Sequence, residues 1–290
     1  MITRYEHHLQ IKTNKLEPFI LHYLINRFDS PCNWHKNIEI VFITKGEGFI
    51  RYGTDEYELC EGDLVVINSG AIHHLYSDTG FDYYCIIIDD EFCEGNGIDI
   101  EKYEFEKITR DEETVRVFLE AAQMLKNEIL KKNGDDRLSI PKVRRAMLSF
   151  MIELCEKHIV NDGEKVKKKD RSEEHIKKAL SYINENFKSP ITLEELAEYV
   201  GISKYHLSRE FKKYTGETIF TYTNIIRCRN AEICILDGMK VSDAAYASGF
   251  ETISYFSGTY RKLMGIHPSK VKKQRYDNGC LIENEIDKDK

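Results

Sequence analysis

The stretch "GISKYHLSREFKKYTG", residues 201–216, carries two stripes on one short helix. Leu207 and Phe211 stand four apart and share a face, while Lys204, Ser208 and Lys212, flanked by Tyr205 and Arg209, share the opposite one. Forty-nine positions later, "GFETISYFSGTYRKLMG" (249–265) repeats the spacing of Leu207, Phe211 and Gly216 as Phe256, Tyr260 and Gly265. A helix that recurs behind the same kind of turn marks a duplicated unit. The exposed basic face of the first copy suits a negatively charged surface.

Working outward, "ITLEELAEYVG" (191–201) opens with Thr192 and, three residues on, Glu195, a capping box that fixes a helix start. Ala197 stands four residues before Gly201: a small residue lets two helices cross closely, and glycine turns the chain between them. Ser203 then caps the next helix, and Ala245, Gly249 and Thr252 stand in the same relation in the second copy. Upstream, "SEEHIKKALSYINENF" (172–187) puts Ile176, Leu180, Ile183 and Phe187 on one side. Between the copies, "ETIFTYTNIIRCRNAEICILDG" (217–238) reads as one helix of about 20 residues, roughly 30 Å long. Successive major-groove faces on one side of B-DNA lie about 34 Å apart. Two such units on a stiff spacer are expected to dock together along double-stranded DNA.

The bulk numbers set the frame. A chain of 290 residues exceeds one ordinary core, so two domains are expected. Apolar content of 41% and charged content of 31% suit a globular protein and exclude wholesale disorder. The start, "MITRYEHHLQIKTNK", lacks the apolar core and small-residue cleavage site of a signal peptide. No run approaches 18 apolar residues, so no membrane partner is expected. Eight scattered cysteines without a C-x-x-C pair read as reduced thiols in a cytoplasmic protein. Residues 171–276 hold 17 Lys/Arg against 12 Asp/Glu, whereas the rest of the chain holds 25 against 37. An acidic body joined to a mildly basic module suits a nucleic-acid reader attached to something else.

The acidic front half changes character near residue 112. Before it, "EIVFITKGEGFIRYG", "YELCEGDLVVINSG" and "YYCIIIDDEF" are short runs rich in Ile, Val, Phe and Tyr between Gly, Asp and Asn turns, as in a sandwich or small barrel. After it, Val115, Phe118, Ala122, Leu125 and Ile129 recur at helical spacing, and Val143, Met147, Phe150 and Leu154 do so behind Pro141. These two helices are expected to cover the barrel or to meet a second copy of the chain. "NDGEKVKKKDRS" (161–172) has no apolar period and reads as a linker.

The residues from about 172 to 276 resemble the DNA-binding domain of the AraC/XylS family of bacterial transcription regulators. The resemblance rests on "LEELAEYVGISKYHLSREFKKYTG", the Arg227/Ala231 spacing, "AAYASGFETISYFSGTYRKLMGIHPS" and the order of the parts. It implies two helix-turn-helix units joined by a helix, both inserting a recognition helix into DNA. By position, Ser203, Lys204, Tyr205, Ser208 and Arg209 would face the groove, with Arg209 on guanine, and Lys212 and Lys213 would hold phosphates. In the second unit Thr252, Ser254 and Ser257 would reach bases or phosphates, and Arg261 and Lys262 the backbone. Gly258 departs from the pattern where an arginine is usual, so the first unit is expected to supply most of the reading.

"NWHKNIEIVFITKGEG" with "EGDLVVINSGAIHH" is similar to the two barrel motifs of the cupin superfamily, which such regulators often carry. His35, Glu39 and His73 match metal-ligand positions, but Asn33 replaces the first histidine, so no metal and no cofactor are expected. Odd-numbered residues of the first motif share one strand face, placing His35 and Glu39 inward beside Val41 and Ile43. A polar effector pocket is expected there, with Trp34 and Phe42 as apolar walls, structural hydrogen bonding being the other reading.

The resulting expectation is an α+β multidomain chain. It comprises a cupin-like β-barrel sensor (1–110), a helical pair for dimerisation (111–160), a linker (161–171), an all-α double helix-turn-helix domain (172–276) and an acidic tail (277–290). The expected function is a non-enzymatic, cytoplasmic, homodimeric activator of transcription. Its partners would be DNA, a small-molecule effector such as a sugar, and RNA polymerase. The competing readings are a metal-dependent cupin enzyme fused to a DNA-binding module, and a regulator without an effector.

Overall fold

Two long strands, rich in β-branched and aromatic residues, form the centre of the first half. In the computed structural model, which describes residues 19–29, 31–130, 138–163 and 170–271, β2 (Ile38–Tyr52) pairs antiparallel with β5 (His73–Ile88). Around them lie β1 (Phe19–Asp29), β3 (Asp55–Cys60), β4 (Leu64–Ile67) and β7 (Ile108–Thr109), in the order β1-β5-β2-β4-β7 with β3 on β2. A short α1 (Asp90–Gly95) follows β5, and β6 (Glu104–Phe105) pairs with β8 (Ile159–Asn161) in a separate ribbon. The expected barrel takes the form of a half-barrel, since β1 and β7 end the strand order.

The bend of the sheet is a glycine effect. The register of β2 against β5 shifts between Ile43 and Lys45 and again between Gly46 and Phe49. Gly46 sits at φ +86°, and a Cβ there would lie 2.8 Å from the Gly80 carbonyl oxygen. Only glycine lets the strands approach this closely.

The sheet is buried on both faces. Even-numbered Ile38 and Ile40 join Leu64, Val66, Ile86 and Ile88 against α2 (Glu112–Leu130) and α3 (Ser139–His158), where Phe118, Met147, Phe150 and Leu154 are buried. Odd-numbered Val41 and Ile43 face the opposite way, with Ile50, Leu75, Phe81, Cys85 and Ile87. The helical pair thus uses its main stripe on the half-barrel and leaves Ile140 and Ile152 of α3 exposed. Most of the linker and the whole acidic tail lie outside the described residues.

The second half is helical: α4 (Arg171–Asn186), α5 (Leu193–Val200), α6 (Lys204–Thr215), α7 (Ile219–Leu236), α8 (Val241–Ala247) and α9 (Ile253–Met264), then a 3-10 turn at Pro268–Lys270. The local signals act as expected: the Thr192, Ser203 and Thr252 hydroxyls accept hydrogen bonds from the amides of Glu195, His206 and Tyr255. Gly201 and Gly249 turn the chain at φ +86°. At Gly249 a Cβ would also stand 2.6 Å from the Lys188 carbonyl oxygen, so the second turn rests on the backbone of the first unit.

Helix α7 joins two cores and belongs to both. Tyr222 and Ile226 enter the core made by Ile176, Leu180, Ile183, Leu196, Leu207 and Phe211. Cys228, Ala231 and Ile235 enter the core of Ala244, Ala245, Phe250, Phe256 and Tyr260. Arg227 donates from Nε to the Phe187 carbonyl at 2.6 Å and from Nη2 to Ser189 at 2.8 Å, tying the spacer to the end of α4. The 18 residues of α7 span about 27 Å. Ala244 fills the place of Leu196, which leaves the second core with less apolar volume.

Gly258 lies in α9, and a Cβ added there would meet no atom within 4 Å. A Gly258→Ala substitution is therefore expected to stabilise the second unit by about 1 kcal/mol, read as a higher urea midpoint at unchanged slope. A loss of stability would show a packing role for the glycine.

The two halves touch along one strip. Cys32 and Ile72 sit in the core of the first helix-turn-helix unit. Tyr222 Oη donates to the Cys32 carbonyl at 2.7 Å, and Trp34 Nε1 donates to the Lys177 carbonyl at 3.1 Å. The Lys177 ammonium lies 5.4 Å from the centre of the Trp34 ring. Arg51, on the hairpin between β2 and β3, reaches Gly216 at the C-terminal end of α6, where a Cβ would meet its Nη1 at 2.7 Å.

Candidate DNA-binding face and buried sensor cluster

Helix α6 buries Leu207 and Phe211 and thereby forces its other side outward. Tyr205, Ser208, Arg209, Lys212 and Lys213 line one open concave surface on that side, and Tyr205 is 79% exposed. The Arg209 guanidinium is held by Glu210, with Nε at 3.1 Å from Oε1, while its side chain stays largely exposed. Lys204 pairs with Glu194 of α5. Ser203 sits at the helix start with its hydroxyl oxygen engaged by the His206 amide, leaving the O–H to donate outward.

In the second unit Phe256 and Tyr260 are buried, and Ser254, Arg261 and Lys262 are exposed, with Ser257 half-buried beside them. Thr252 caps α9. Arg261 and Lys262 occupy the last turn, where positive charge also favours the helix dipole. With glycine at 258, this face carries no guanidinium at its centre.

On the inner face of the half-barrel, His35, Glu39 and His73 come together, each no more than 3% exposed. His35 Nε2 lies 2.9 Å and His73 Nε2 3.5 Å from Glu39 Oε2. The Nδ1 atoms face the carbonyls of Asn37 at 2.9 Å and Ala71 at 3.0 Å. Cys85 Sγ donates to the other Glu39 oxygen at 3.0 Å. Burial pushes the Glu39 carboxyl up, but hydrogen bonds and positive charge from His35 and His73 outweigh it and hold the group well below the usual carboxylate range. Burial and the neighbouring carboxylate push the Cys85 thiol well up, which keeps it a neutral donor.

Two expected pocket walls stand elsewhere. Trp34 turns toward α4, and Phe42 packs on Phe118 of α2 at 6.2 Å between ring centres. Both are even-numbered, and the strand alternation that brings 35 and 39 inward sends 34 and 42 out. Cys85 had the outward signs of an apolar packer; its place opposite Val41 in the β2–β5 register is what delivers it to Glu39.

Helix-turn-helix pairs joined by a shared helix, behind a half-barrel with a buried polar cluster, define a ligand-binding regulator of transcription. The chain belongs to the AraC family: residues 16–139 match the AraC-like ligand binding domain and residues 196–274 a helix-turn-helix domain. An uncharacterised HTH-type transcriptional regulator of Bacillus subtilis, YdeC, is 24% identical over 259 residues, covering 84% of this chain and 86% of that one. The lactose operon transcription activator of Staphylococcus xylosus is 24% identical over 248 residues, covering 79% and 81%. Among solved structures, an apo variant of ToxT from Vibrio cholerae aligns with a TM-score of 0.50 at 14% identity, covering 89% and 98%, which speaks for the fold alone. These relatives are transcriptional regulators. No described helix is long and apolar enough to cross a membrane.

Proposed function

We propose that this AraC-family DNA-binding regulator is a cytoplasmic activator of transcription whose reading of DNA answers to a small ligand in the half-barrel. The observation that carries the DNA-contact assignment is the single concave face formed by Tyr205, Ser208, Arg209, Lys212 and Lys213. Helix α6 enters the major groove with Lys204, Tyr205, Ser208 and Arg209 toward base edges, and Lys212 and Lys213 on phosphates. Helix α9 anchors through Ser254, Ser257, Arg261 and Lys262, with Thr252 and Ser203 donating to phosphates beside the helix starts.

The coupling follows from one short segment, residues 32–35, joined to the sheet by the Asn33–His73 bridge. Cys32 and Trp34 contact the first helix-turn-helix unit, and His35 sits in the buried cluster. A ligand that favours one placement of residues 32–35 favours one placement of α4 and α7, and its effect on DNA affinity equals that difference. The lactose activator's name makes a sugar the first effector class to try. As an activator, the DNA-bound chain would engage RNA polymerase, and Ile140 and Ile152 of α3 would lie in a homodimer interface.

Selection of bound DNA from a random pool, with and without a metabolite library, tests this reading. The expected result is a site with two half-elements about one helical turn apart, bound by a species that sediments as a dimer. A footprint confined to one groove face, a monomer on the site, or affinity indifferent to every ligand would each remove the corresponding part. A His35→Ala variant separates this from the fused-enzyme reading, since a regulator loses response whereas an enzyme loses turnover.

A further inference from the structure

The two helix-turn-helix units carry the same turn glycine in different surroundings. Gly201 and Gly249 both sit at φ +86°, and a Cβ on Gly201 would meet nothing within 4 Å. A Cβ on Gly249 would press on Lys188, 2.6 Å from its carbonyl oxygen and 2.8 Å from its Cα. The second turn is therefore seated on the chain leaving α4, and only a residue without a side chain sits so low. The spacer helix holds that seat on both sides, because Arg227 donates to the carbonyls of Phe187 and Ser189 at 2.6 and 2.8 Å. Pro190 follows at once and narrows the backbone choices of Ser189.

The same face of α7 also holds the second unit. Asn224 stands three residues before Arg227, on one side of the helix with it, and is 3% exposed. Its side-chain amide meets the Tyr255 hydroxyl of α9 at 3.1 Å. The contacts close a ring: from α7 through Arg227 to residues 187–189, from Lys188 to Gly249, along the chain to Tyr255, and back through Asn224 to α7. The apolar cores do not do this. Each unit packs on its own stretch of α7, Tyr222 and Ile226 for one, Cys228, Ala231 and Ile235 for the other. Two cores strung along one rod can turn about it, and a closed ring of contacts opposes that turn.

We infer that Asn224, Arg227 and Gly249 are positioning residues that fix the distance and rotation between α6 and α9, and so the spacing of half-elements that the protein accepts. The inference rests on the reading of α6 and α9 as the two DNA-contacting helices and adds which residues set their phase. One base pair inserted between half-elements moves the second by about 3.4 Å and turns it by about 35° around the duplex axis. A stiff pair cannot follow, so the gain from engaging both elements at once is lost, whereas a hinged pair retains much of it.

The test uses the full chain, its selected site, and versions of that site with one base pair added or removed between the half-elements. For the wild type either change should weaken binding by about 100-fold. In Arg227→Lys, whose single ammonium cannot serve both carbonyls, and in Asn224→Ala, the penalty should shrink to under about 10-fold. Tyr255→Phe breaks the Asn224 bond from its other side, so the double variant Asn224→Ala/Tyr255→Phe should behave as either single one. The ratio of affinities for two spacings is unmoved by a general loss of folded protein. A second readout needs no DNA. Spin labels on non-natural side chains replacing Glu198 of α5 and Asp243 of α8, both exposed, should give one narrow distance distribution in the wild type and a broad one in Arg227→Lys. Equal wild-type binding at every spacing, a broad wild-type distribution, or variants that keep the wild-type ratio overturns the clamp. A narrow distribution in a protein that protects no DNA leaves the clamp and removes the DNA-reading function.

Discussion

Arg209→Ala is expected to weaken binding to the selected site by roughly 5- to 150-fold, the equivalent of about 1–3 kcal/mol, and to relax preference at one base pair. The reason is geometric. Arg209 projects from the exposed side of α6, while Glu210, itself only 7% exposed, holds Nε and Nη2 and so limits the guanidinium's freedom. A pre-oriented planar fork loses little entropy on meeting the O6 and N7 of a guanine. Arg209→Lys should rescue charge but not specificity, because an ammonium cannot make the paired contact. Lys212→Ala supplies the contrast: it should weaken all sequences alike and reduce the salt slope by about one. Binding curves on the selected site and a single-base variant, each at two salt concentrations, check the set. Unchanged affinity in Arg209→Ala would remove α6 from the groove.

Phe211→Ala is expected to cost about 3–5 kcal/mol of stability, because a fully buried ring leaves a cavity that its neighbours fill only in part. The ring meets Tyr222 edge-on at 5.5 Å between centres, and Tyr222 Oη carries the hydrogen bond to Cys32. One truncation therefore loosens the first recognition helix and its link to the half-barrel together. Against a typical total of about 5–15 kcal/mol, the first unit should melt well before the rest. Urea unfolding followed by far-ultraviolet circular dichroism measures the loss, and Phe211→Leu should recover most of it. A loss under about 1 kcal/mol would mean that Phe211 is not central to that core.

Much of this was legible from local chemistry. Caps at Thr192, Ser203 and Thr252, the turns at Gly201 and Gly249, and the split stripe of α6 depend on residues within a turn or two of one another, so the chain alone specifies them. His35 and Glu39 were legible for the same reason, as strand alternation is a local rule. Trp34 and Phe42 as pocket walls conflict with that same rule, since their even positions face away from 35 and 39. Cys85 meets Glu39 across 46 positions, and Cys32 meets Tyr222 across 190. Pairings of that range depend on register and domain docking, which no short window carries. The burial of Cys32 and Ile72 in the helical core was invisible for that reason.

The segment 32–35, bridged to the sheet at Asn33, is a septum one chain thick between two compartments that hold different chemistry. Its odd positions furnish the polar chamber and its even positions the greasy joint, so its phase is a piece of information stored in chain length. A single residue inserted directly after Asn33, whose bridge to His73 fixes the phase, would exchange the next two positions, sending an indole inward and an imidazole into the joint. Evolution can vary the lining of either compartment freely, but it can lengthen this wall only in steps of two.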